Sequence, residues 1–110
     1  LSNDNCAGAT TLTVNPTAAC TVTTSGTTIG ASQSQAGCTG TADDDVWYRF
    51  TATGTTHGIS VTTPTMDAVF QVFSGTCAAT VSLSCIDAVF SSGTEQTVLN
   101  GLTPGATYFI

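Results

Sequence analysis

The sequence predicts an all-β antiparallel sandwich built from about eight short strands, and three observations predict it. Thr occurs 24 times and Ser 10 times in 110 residues, and the β-branched Thr side chain loses χ1 freedom in a helix but suits a pleated strand. Apolar residues alternate with hydroxyl residues in several short runs, whereas no stretch shows an apolar period of 3.6. Turn residues cut these runs at the spacing of a sandwich.

In chain order the first two candidate strands are Thr10 to Val14 and the Thr-rich segment Thr21 to Ile29. The third, Val46 to Thr53, alternates Val46, Tyr48 and Phe50 with Trp47, Arg49 and Thr51, so the two sets face opposite sides. Gly54 ends it. Gly58 to Thr62 places Ile59 and Val61 on one face. Ala68 to Phe73 is apolar at nearly every position, as expected of a central strand covered on both sides. Val81, Leu83 and Cys85 alternate with Ser82 and Ser84, which predicts one buried and one hydroxyl-bearing face. Gln96 to Leu99 follows. Leu102 to Tyr108, with Pro104 and Gly105 at its turn, then announces a final strand, Tyr108 to Ile110, with the tyrosine-corner arrangement of sandwiches. This reading leaves an unpaired edge beside Tyr108, to be closed by a further strand or by one supplied in trans.

The length of 110 residues fits one domain, residues 1–110, read as a segment of a larger protein or as a strand-exchanging subunit. Charged residues make up only 7% of the chain, Arg49 is the single Lys or Arg, and the net charge is −6. Such a surface offers nothing to the phosphates of nucleic acid or to anionic lipid, and no run is long enough to span a membrane. Cys6, Cys20, Cys38, Cys77 and Cys85 form no C-x-x-C pair and have no His at metal-ligand spacing, so disulfides and an extracellular location are expected. Spacing alone leaves their pairing open.

Three groups of residues are candidate sites. Asp43, Asp44 and Asp45 are adjacent carboxylates without a basic neighbour, and Asp67, Asp87 and the Asn3 to Asn5 stretch can join them through the fold. Calcium, which takes several oxygen ligands, is the cation expected there, against the plainer reading of a solvated acidic turn. Trp47 with Arg49 would stack on a glycan ring if Trp47 were exposed, and would be an ordinary core residue if buried. His57, the only histidine, lies in a Gly-rich turn with no nucleophile elbow in the chain, and the sequence reads as non-catalytic.

Four motifs, Asn3-Asp4-Asn5-Cys6, Asp43-Asp44-Asp45-Val46-Trp47-Tyr48-Arg49-Phe50, Val72-Phe73-Ser74-Gly75-Thr76-Cys77 and Leu102 to Tyr108, together resemble a bacterial secreted module. The pattern is similar to the cysteine-containing relatives of the pre-peptidase C-terminal (PPC-like) domain of surface and secreted proteins. The resemblance implies a jelly-roll-like sandwich, export across the outer membrane, and a non-catalytic role beside enzymatic or adhesive partners. It also implies that Cys77 pairs with Cys85 across a hairpin and Cys20 with Cys38, leaving Cys6 for a cysteine on a strand not contained in the chain. Two functions follow as expectations. One is an adhesion or targeting module that engages a glycan, matrix or cell-surface protein. The other is a fibre subunit that binds further copies of itself by strand complementation.

Overall fold

A computed structural model describes residues 1–41 and 43–110. Its seven strands are β1 (Thr10–Thr11), β2 (Tyr48–Thr51), β3 (His57–Thr63), β4 (Phe70–Thr76), β5 (Ala79–Ile86), β6 (Gly93–Leu99) and β7 (Thr107–Phe109). The only helical element among the described residues is a 3₁₀ turn, Cys6–Gly8. Five strands form one sheet in the order β1-β2-β7-β4-β5, and β3 pairs with β6 in a second. All pairings are antiparallel except β1 with β2.

The two-residue alternation does what the sequence predicts in the middle of the sandwich. Phe50, Phe70, Val72 and Tyr108 point from the large sheet into the main core, where they meet Ala52, Leu99 and Leu102, with Ile59 and Val61 of β3 packed against them. β4 is internal, flanked by β7 and β5, and its Phe70, Val72 and Phe73 are buried. The tyrosine corner is present, the Tyr108 hydroxyl accepting the Thr103 backbone N–H at 2.8 Å.

The large sheet is covered on its other face as well. Trp47, Phe73 and Phe109 project there and pack with Cys6 and Ala9. The cover comes from the N-terminal segment and the 31–38 loop. Trp47 donates its backbone N–H to the Asn3 carbonyl at 2.9 Å and its indole Nε1–H to Ser34 Oγ at 2.7 Å. Two disulfides fasten this cover to the β4–β5 hairpin: Cys6–Cys77 at its turn and Cys38–Cys85 near its far end.

These bonds replace the expected Cys77–Cys85 and Cys20–Cys38 pairs, and Cys6 finds its partner within the chain. The reason is geometric. Cys77 lies in the turn between Thr76 and Ala79, whereas Cys85 faces Gln71 six residues along β5 from Ala79. At about 3.3 Å per residue the two sulfurs lie roughly 20 Å apart, far beyond disulfide reach. Cys20 is the free thiol and is exposed.

Three expected elements change. Thr21 to Ile29 forms no strand, because its only apolar residues, Val22 and Ile29, find nothing to pack against and stay 53% and 85% exposed. The first strand shrinks to Thr10–Thr11. β5 lacks the buried face expected of it: a bulge opposite Val72 and Phe73 sets a half-buried Ser84 across from Val72, while Val81 and Leu83 remain 56% and 45% exposed.

The edge of the Tyr108 strand is met within the chain at Phe109. β7 lies between β2 and β4, pairing with β2 from Thr107 to Phe109 and with β4 at Phe109. The strand-exchange fibre, which was expected to use this edge, gains no support from the pairing of β7.

Candidate functional site

One end of the sandwich gathers carboxylates. β6 alternates Glu95, Thr97 and Leu99 toward the core, and Glu95 sits opposite Val61 of β3. A buried carboxylate at such a position demands donors. It finds two in the loop between β5 and β6: Oε2 accepts the Ala88 N–H at 2.8 Å and Oε1 the Val89 N–H at 2.7 Å. Glu95 is thereby held rigidly at 2% exposure.

Asp87, from the same loop, and Asp67, from the β3–β4 loop, converge on it. One oxygen from each of the three lies within 4.8 Å of the others. The Asp87 Oδ1 atom is shielded from solvent and has no hydrogen-bond partner. Desolvation, with the Asp67 and Glu95 carboxylates beside it, pushes the Asp87 carboxyl above its ordinary value.

The cluster thus keeps Asp67 and Asp87 from the predicted cation ligands, adds Glu95, and contains none of Asp43, Asp44 and Asp45. Asp43 and Asp44 are exposed. Asp45 is occupied by the outer cover, accepting Ser34 Oγ–H at 2.8 Å and the Gln35 N–H at 3.2 Å. Asp4 is likewise engaged, its carboxylate accepting the Ser32 N–H at 2.6 Å and the Ser32 hydroxyl at 2.8 Å. Those bonds, the backbone one foremost, hold the Asp4 carboxyl below its ordinary value.

Trp47 is 4% exposed and stacks on Phe73 with ring centroids 5.5 Å apart. Of its two sequence readings the buried one holds, so Trp47 offers no platform for a sugar. Arg49 is exposed, and its Nε–H donates to Thr11 Oγ1 at 3.1 Å. His57 braces its own turn, Nε2 accepting the Thr53 and Gly54 N–H groups at 3.0 and 3.3 Å.

A groove of about 540 Å³ opens elsewhere, between the β4–β5 hairpin and the segment running from β6 into the turn before β7. Ser74, Ser84, Asn100 and Thr103 give it hydroxyl and amide groups, and Leu83 and Val98 give it apolar surface. Among the described residues no charged one lines it. The sequence hid this groove because its walls come from four separated segments.

The carboxylate cluster and the groove lie on a small disulfide-stapled β-sandwich. The chain belongs to the T9SS-associated, galactose-binding-domain-like family, whose model matches residues 2–110. That places it among secreted bacterial β-sandwich modules, a typically non-catalytic class. No curated protein and no solved structure matches the chain.

Proposed function

We propose that this domain is a non-catalytic adhesion or targeting module, one that holds a secreted or cell-surface bacterial protein against an uncharged glycan. Kinship with PPC-like modules, which its motifs suggest, fits the same role. The observation that carries the reading is the lining of the groove. Hydroxyl and amide groups beside exposed Leu83 and Val98, without a charge among them, complement a neutral sugar, which presents hydroxyls around its rim and apolar C–H groups on its faces. Membership in a galactose-binding-like family supports the ligand class, and the T9SS association supports the extracellular setting.

The oxidised domain is expected to retain neutral glycans on an array. Leu83→Asp and Val98→Asp, both at exposed positions, are each expected to weaken retention at least about tenfold by placing an unpaired charge against the sugar. Melting temperatures should remain close to that of the parent domain. An array without any bound neutral glycan, or both variants binding as the parent does, overturns the reading.

A further inference from the structure

We propose that Asp67, Asp87 and Glu95 form a binding site for a divalent cation of the calcium class, which ties the β3–β4 and β5–β6 loops to strand β6. The inference stands apart from the glycan reading and is tested without a sugar.

Two independent observations support it. The first is spacing. A calcium ion reaches its oxygen ligands at about 2.4 Å, so two ligands on opposite sides of it are at most about 4.8 Å apart. The three carboxylates supply oxygens that all lie within 4.8 Å of one another. The second is the orphaned Asp87 Oδ1. A buried carboxylate oxygen without a donor is costly, and a coordinated cation removes that cost by giving the oxygen a partner.

The rest of the cluster has the form of a prepared site. Glu95 cannot swing away, because the Ala88 and Val89 N–H groups hold both its oxygens. Those two bonds use only part of the carboxylate's accepting capacity, so it can still coordinate a cation. No cationic side chain competes, since Arg49 is the only Lys or Arg in the chain and is bonded to Thr11. Exposed Asp67 leaves the cluster open to entry from solvent, and water can complete the coordination.

Calcium chloride and magnesium chloride, titrated separately at pH 7 into the chelator-treated, oxidised domain, provide the test by calorimetry and thermal melting. One calcium site is expected, with a Kd of about 0.1–1 mM, the range of extracellular modules. The melting temperature should rise by about 5 °C or more at about 10 mM calcium. Asp87→Asn should abolish the response, and Asp67→Asn should weaken it at least about tenfold. The double variant Asp43→Asn/Asp44→Asn should respond as the parent does. Glu95 is buried and its replacement endangers folding, so the exposed Asp67 carries the test. The proposal is overturned by absence of heat and of a melting shift with either cation, or by normal binding in both Asp67→Asn and Asp87→Asn. Stabilisation that appears only as the pH is lowered, with no response to cations, would assign the cluster to a shared proton and also overturn it.

Discussion

Reduction of the two disulfides is expected to unfold the module at ambient temperature. Cys6–Cys77 spans 71 residues and Cys38–Cys85 spans 47. Loops of these lengths restrict the unfolded chain by about 4 kcal/mol each, on a chain-entropy account. The two together rival the whole net stability of a small domain, roughly 5–15 kcal/mol. Little else secures what they fasten. Between β1 and β2 the chain contains no strand or helix among the described residues, and most of that stretch is exposed. Near-ultraviolet circular dichroism in excess thiol reductant should therefore lose the tertiary signal of Trp47. A reduced domain that melted cooperatively at the temperature of the oxidised one would show that the main core alone suffices.

The second large effect is expected at Trp47. Trp47→Ala removes the ring that stacks on Phe73 beneath the N-terminal segment and strips Ser34 of its indole donor. The cost should be about 3–5 kcal/mol, the range for deleting a large buried aromatic side chain. Trp47→Phe keeps most of the stack and loses the Nε1–H bond, so it should cost roughly 1 kcal/mol from that bond, with the smaller ring adding to it. Chemical denaturation reads both changes as shifts of the midpoint. A Trp47→Ala midpoint equal to that of the parent would mean that the outer cluster contributes nothing to stability, contrary to its burial.

Local chemistry made much of the sandwich legible. The alternation through Tyr48, Arg49 and Phe50, the continuous apolar run into β4 and the turn before Tyr108 each express a rule that acts within a few residues. What depended on distant partners was not legible. Trp47 and Phe50 could be assigned to opposite faces, but nothing in their neighbourhood says that the 31–38 loop returns to cover one of them. The cysteine pairing failed for the same reason, since each bond links the outer cover to a hairpin many residues away. Thr21 to Ile29 has the composition of a strand without an apolar face to bury, so composition alone misled.

The carboxylate cluster was half visible. Asp67 and Asp87 lie in loops, where acidic residues attract attention as ligands. Glu95 falls outside a strand read from Gln96, three residues after the observed start at Gly93. Begun at Gly93, the same strand sets Glu95 in register with Thr97 and Leu99, and a carboxylate on the core-facing side then announces itself. The irregularity opposite Val72 and Phe73, which skips Leu83 in the pairing, is equally illegible in the alternation of β5.

Both crosslinks converge on the β4–β5 hairpin and clamp a second layer over the large sheet. Nonreducing peptide mapping of the oxidised chain tests this most directly. The expected fragments join Cys6 to Cys77 and Cys38 to Cys85, with Cys20 recovered as a free thiol. A fragment joining Cys77 to Cys85, or Cys20 to Cys38, would contradict the clamp and the buried position of Trp47 beneath it.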